Sequence, residues 1–185
     1  MSNPGVNKLL AQINSDMDHI MKEAPMAMGR IVINFMEENF EKGGFQTNEG
    51  IDKWAPRKND EDPGRGILIG KQSGRLMKSG TIFQADEEAT IVGVPDNIAI
   101  YGKIHNEGGT VNPMVTDKMR KFAWFKFKKT GEDRWKYLAI TKKNQLHINI
   151  PKRQFLANSS LLGKRISDFL RSSFEKSLRN NTVFK

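Results

Sequence analysis

Cysteine is absent from the 185 residues, histidine occurs three times and tyrosine twice. The first absence excludes a disulfide framework, a thiolate zinc site, an iron–sulfur centre and a cysteine nucleophile together. It fits a reducing cytosol. No apolar run reaches the length needed to cross a bilayer. The stretch Met1-Ser2-Asn3-Pro4-Gly5-Val6-Asn7-Lys8 lacks the basic segment and apolar block of a secretion signal. The expectation is a soluble protein made in the cytoplasm, with no membrane partner. Internal repeats and low-complexity tracts are also missing. What remains is ordinary core material: 37% of residues are hydrophobic and 28% charged, with 11 Phe and 3 Trp. That suffices for one packed domain and argues against disorder.

The formal charge of +9 is unevenly spread. Residues 117–185 carry 18 Lys/Arg against 5 Asp/Glu, whereas residues 1–116 carry 12 against 16. Such asymmetry suits a nucleic-acid partner, an acidic protein surface, or an oligomer whose acidic half meets a basic half.

The spacing predicts an α+β fold with long N-terminal helices, a central antiparallel β-sheet and a C-terminal helix packed on that sheet. Residues 1–43 read as a helical arm, 44–80 as a loop, 81–156 as the sheet and 159–180 as the last helix. In the arm, Asn3 and Pro4 suit a helix start. Val6, Leu9, Leu10, Ile13, Met17, Ile20 and Met21 form one stripe, and Met28, Ile31, Val32, Phe35, Met36 and Phe40 another. Pro25 between them predicts a break or kink. The loop is anchored by Trp54, and residues 72–80 read as a short helical turn framed by glycines. Thr81–Ala85 and Ala89–Val94 read as a hairpin around Asp86-Glu87-Glu88. Asn97–Ile104 suits a strand or a short helix.

Residues 117–146 interleave Phe122, Trp124, Phe125, Phe127, Trp135 and Tyr137 with Lys and Arg. Two strands are expected here, over 121–128 and 135–140, joined by Thr130-Gly131-Glu132-Asp133. The rings are expected on a buried face with Lys outside, because rings are mostly buried. The rival reading has exposed rings stacking on bases while Lys and Arg neutralise phosphates. Leu146–Ile150 alternates into a strand that Pro151 ends. Ser159 or Ser160 then caps a helix striped by Leu162, Ile166, Phe169, Leu170, Phe174 and Leu178.

Catalytic patterns are sparse. His19 reads as a flank of the first helix, and His147 as strand packing or surface. His105-Asn106-Glu107 has the His-x-Glu spacing of zinc deaminases, but that chemistry needs two cysteines. There is no His-Glu-x-x-His. Gly64 to Lys71 fails as a phosphate loop: three residues separate Gly66 from Gly70, and Gln72 follows Lys71 where a hydroxyl is needed. It fails as a dinucleotide turn too, and reads as a flexible turn. Ser73, Ser79, Ser159 and Ser160 lie in no nucleophile elbow. No catalytic, metal or cofactor-binding residue is assigned.

Four segments together carry a resemblance. They are Trp54-Ala55-Pro56, Ile67–Leu76 with its Ser73-Gly74-Arg75-Leu76, Ile100–Gly109 with Tyr101, His105, Gly108 and Gly109, and Ile150–Leu156 with Pro151, Arg153 and Phe155. In order and spacing the chain resembles the phage virion morphogenesis family, the tail completion or neck proteins of Mu-like and related tailed phages. Gly102 stands where that family usually has Ala, and the Lys/aromatic stretch before Ile150 departs from its pattern.

The resemblance implies a non-enzymatic virion protein of the neck or tail, assembled in the host cytoplasm. It implies a ring of identical subunits, such as a hexamer, meeting head-connector and tail-tube or terminator proteins, with possible contact with passing DNA and no cofactor. Within it, Gly74 and Leu76 are expected as a turn and an anchor, and Tyr101 and Ile104 as core. His105 is expected to hydrogen-bond the Gly108-Gly109 turn, Arg153 to bridge a carboxylate, and Phe155-Leu156 to enter the core. Residues 45–66 are a candidate arm against a neighbour. The alternative is a basic nucleic-acid-binding module using residues 118–143. An enzyme, such as a lysin or nuclease, ranks last.

Overall fold

The computed structural model describes residues 4–57, 64–69 and 74–182. Asn3, residues 58–63 of the expected arm, and Gly70 to Ser73 lie outside them. The architecture is α+β, with one long helix as its spine. That helix, α1 (Pro4–Lys42), runs unbroken through Pro25. A proline there cannot donate to the Met21 carbonyl. The turn survives because Ala24 and Pro25 are buried and the Pro25 carbonyl accepts a hydrogen bond from Thr90 Oγ1 at 3.2 Å. The expected break is therefore absent.

Near its C-terminal end α1 buries a broad face, on which Phe35, Met36, Asn39 and Phe40 have essentially no exposure, while Asn34, Glu41 and Lys42 stay exposed. Two small cores form along this face. Met36 and Phe40 pack with Trp54, Leu76 and Phe155, while Phe35 packs with Phe45 and Leu162. The Phe40 ring meets Trp54 edge-on at 5.3 Å between centroids. Gly43 stops the helix with a positive φ of 61°.

The predicted loop 44–80 begins instead as a hairpin, β1 (Gly44–Thr47) and β2 (Gly50–Lys53), in the register Thr47 to Gly50. The buried Gln46 side chain hid its alternation. Gln46 is satisfied by Asn39, with its backbone N–H donating to Asn39 Oδ1 at 3.0 Å. A 3-10 turn at Met77–Ser79 leads into β3 (Thr81–Ala85) and β4 (Thr90–Gly93), an antiparallel pair as expected. This pair lies on α1 so closely that a Cβ on Gly29 would fall 2.6 Å from Ile82 Cδ1.

The span expected as one sheet is largely helical. After β4 come α2 (Asp96–Glu107), β5 (Gly109–Val111), α3 (Asp117–Thr130), α4 (Asp133–Ile140) and β6 (Ile148–Ile150). Among the described residues the strands make three separate two-stranded ribbons in place of a central sheet: β1–β2, β3–β4 and β5–β6. The two strands expected at 121–128 and 135–140 are the helices α3 and α4. Thr116 caps the first, its Oγ1 accepting from the Met119 N–H at 3.2 Å. Gly131 ends it in the left-handed conformation, φ 69°.

The last helix, α5 (Ser160–Thr182), runs antiparallel along α1. Arg165 near its start reaches Glu38, and Ser177 near its end reaches Asp16. Of its expected stripe, Leu162 is buried, Ile166, Phe169, Leu170 and Phe174 are half-buried, and Leu178 is exposed. Ser159 precedes it, with its hydroxyl donating to the Gln46 carbonyl at 3.0 Å.

Arg165 and Glu38 form a two-pronged pair, both bonds 3.0 Å, with the guanidinium 5.4 Å over the Phe35 ring. The Arg165 hydrogen bonds hold the Glu38 carboxyl down at about 2 against an ordinary 4.5, helped by Gln46 and Lys42. A depressed folded pKa means that this stabilisation is present above pH 4.5 and is lost as pH falls from 4.5 toward about 2. Because the pair is partly exposed, Arg165→Met should cost about 1–2 kcal/mol at neutral pH. It should also flatten the acid limb of the stability curve, measured by urea unfolding across that range.

Candidate functional site

The four motif segments converge on one junction. Trp54 Nε1 donates to the Gln154 carbonyl at 2.8 Å. Arg153 donates to the carbonyls of Ala55 at 3.0 Å and Pro56 at 3.2 Å, and its backbone N–H donates to the His105 carbonyl at 2.8 Å. Asn106 Oδ1 accepts from the N–H groups of Phe155 at 2.9 Å and Leu156 at 3.0 Å, while its Nδ2 donates to the Leu156 carbonyl at 3.0 Å. From the other side Asn39 Nδ2 donates to the Phe155 carbonyl at 3.1 Å. Residues 154–156 thus lie outside the strands, yet the Gln154 carbonyl and both backbone groups of Phe155 and Leu156 are hydrogen-bonded by side chains. This matters because an orphaned buried amide is costly.

Several expectations hold here. Trp54, Leu76 and Phe155 are buried together. Gly74 turns the chain at φ 53°. Gly108 sits at φ 76° and donates to the Ile104 carbonyl, closing α2, and a Cβ there would lie 2.8 Å from the Lys152 backbone nitrogen. Gly109 at φ 144° begins β5, and Pro151 follows β6. Gly102 faces Leu76, Phe155 and Val94, the last only 3.2 Å from where a Cβ would stand.

Others are corrected. Arg153 is buried yet bridges backbone carbonyls, not a carboxylate, among the described residues. Tyr101 is 51% exposed and not core. On α2 the spacing Ile98, Gly102, Asn106 points inward, so Tyr101 and His105 share the flank, their rings edge-on at 4.5 Å. Ile104 is half-buried. His105 Nδ1 is enclosed and finds no hydrogen-bond partner among the described residues, so the expected bond to the glycine turn is not made.

That flank opens on a cavity of about 320 Å³ lined by Arg57, Arg65, Arg153, Tyr101 and His105, together with Ile67 and Leu68. Burial first, and the neighbouring Arg153 charge second, push His105 below its ordinary 6.5. The neutral imidazole is therefore the form the fold prefers. Stability should be fully present above pH 6.5 and decline as pH falls below it. Thermal melts from about pH 7.5 to about 5.5 should show that decline in the native chain and a flatter profile in His105→Gln. No group of three His, Asp or Glu able to hold a metal occurs among the described residues, and no helix there is long and apolar enough to cross a membrane. His19 is exposed, and His147 Nδ1 lies 2.6 Å from Asn112 Oδ1.

A second feature departs from the junction. The β5–β6 ribbon continues through a Met114–Gln145 bridge and carries α3 and α4, whose main packing is on each other. Ala123 and Ala139 are buried in the helical hairpin, while Phe122, Phe125, Tyr137 and Ile140 are at least half exposed. Phe127 and Trp135 are half-buried, with Lys136 and Arg134 over their rings. The expected buried aromatic face is thus largely an outer one. Residues 109–150 hold 10 Lys/Arg against 3 Asp/Glu.

The sequence reading missed Asn106, Asn39 and Gln46 as organising residues. The signal for Asn106 lay inside the His105–Gly109 block itself. Comparison with known protein families, with functionally described proteins and with solved structures finds no match to this chain.

Proposed function

We propose that this chain is a structural protein of a tailed-phage virion, a tail completion or head–tail joining component that works as one subunit of a ring in the neck. One observation carries the reading. Three of the four segments behind the resemblance, separated by up to a hundred residues, are hydrogen-bonded to one another at the Trp54–Asn106–Arg153 junction, and the fourth joins them through Leu76, packed with Trp54 and Phe155. Accidental matches would scatter over the molecule, whereas residues in mutual contact describe one fold. Their chemistry suits a structural role: Trp54, Asn106 and Arg153 are spent on backbone amides and carbonyls, and Leu76 and Phe155 on a small core. The partners are further copies of the chain, a head connector above and a tail-tube or terminator protein below.

Gold-labelled antibody against the chain, applied to purified particles and imaged by electron microscopy, should mark the head–tail junction. Label confined to another part of the particle, or absent from it, rejects the proposal.

A second reading, a nucleic-acid-binding module, draws on the basic helical hairpin α3–α4. It expects duplex DNA binding that weakens steeply with salt.

A further inference from the structure

The helical hairpin has two properties that call for a covering surface. It exposes several large apolar side chains close together, which an isolated surface rarely does. Phe122 and Phe125 lie on the outer face of α3 among the exposed Lys118, Lys121, Lys128 and Lys129. A duplex backbone would use those cations but offers little to Phe, Ile and Met side chains. A partner that is both apolar and acidic would satisfy both.

The same chain carries such a surface. Between α1, the β3–β4 turn and α5 lies a cleft of about 310 Å³. Met21, Met28, Leu170 and Phe174 supply its apolar walls, and Asp86, Glu87 and Glu88 rim it. The rim is charged at neutral pH: the Ala89 amide and the Gln84 side chain hold the Asp86 carboxyl below its ordinary 3.8. The cleft and the root of the arm are different patches. At 1.5 Å per residue, Ala24 beside the cleft is roughly 20 Å along α1 from Asn39 at the junction where the arm springs.

The geometry points to a contact between copies: the α3–α4 arm of one subunit seats its aromatic face in the acidic-rimmed cleft of the next, with its lysines against Asp86, Glu87 and Glu88. Two different patches meeting make a heterologous contact, the kind that closes into a ring when the rotation permits. This deepens the neck-ring reading and rests on it for the repeated contact.

Full-length variants test it by sedimentation over a range of concentration and salt. Phe122→Ser/Phe125→Ser disables the arm and Glu87→Lys/Glu88→Lys disables the cleft. Each is expected to weaken association by roughly tenfold or more; because Phe122 also meets Trp135 edge-on at 5.9 Å, Phe125→Ser alone, which leaves that contact in place, should weaken association with an unchanged melting temperature. Mixed together, the two variants should stop at a dimer, because only one good arm and one good cleft remain per pair. Placing Lys128→Glu/Lys129→Glu in the cleft-reversed chain should restore assembly. Native-like assembly of the arm and cleft variants would overturn the contact while leaving the neck reading intact, which the gold label tests separately. A wild-type chain monomeric at every concentration overturns it too. So does loss of duplex DNA binding in the arm variant without any change in association, an outcome that would assign the arm to nucleic acid.

Discussion

Phe155→Ala should cost about 3–5 kcal/mol of unfolding free energy, the largest loss expected from any single substitution at the junction. Phe155 is 2% exposed and touches the Phe40 ring at 5.1 Å between centroids, with Trp54 and Leu76 completing its surroundings. Truncation would leave a cavity that α1, anchored in the neighbouring cluster by Phe35 and Phe45, could not collapse to fill. For a chain of this size the melting temperature should fall by about 10 °C. Phe155→Leu should lose less, about 1.5 kcal/mol. Equal losses for the two would mean that ring volume is not what Phe155 supplies.

Asn106→Ala should cost about 2–4 kcal/mol, because it orphans three backbone groups at once: the N–H of Phe155, the N–H of Leu156 and the carbonyl of Leu156. Asn106→Asp separates the parts of this effect. A carboxylate still accepts from both N–H groups but cannot donate to the Leu156 carbonyl, so a smaller loss is expected. Chemical denaturation of the three proteins measures the order native, Asp, Ala in decreasing stability. An Ala variant as stable as the native chain would show that water satisfies these groups and that the side-chain bracket is dispensable.

The parts of the fold written in simple periodicity were readable. The stripes of α1 and α5 and the β3–β4 hairpin around Asp86 follow spacing that one strong pattern dictates, and Trp54 stands out as the largest side chain of a stretch without periodicity. The helices α3 and α4 were misread because Phe125-Lys126-Phe127-Lys128 alternates as a strand does and aromatic residues favour strands. The better signal was at the ends. Thr116-Asp117 before the run and Gly131 after it are a helix cap and a helix stop, and both act as such. The β1–β2 hairpin was hidden for the opposite reason: Gln46 is buried and Ile51 exposed, so polarity does not alternate with burial.

The junction was half legible. Its residues were named from the resemblance, but Arg153 and His105 were assigned partners by chemical type alone. A buried guanidinium satisfied by two carbonyls, and an imidazole left neutral beside it, depend on where residues 54–56 pass, which no local spacing encodes.

The central proposal is that this chain joins head to tail and breaks no bonds. Its most direct test is a lysate from phage lacking the gene, examined by electron microscopy. The account predicts filled heads and finished tails lying separate, joined again when the native chain is supplied in trans. Intact, infectious particles in that lysate would contradict it.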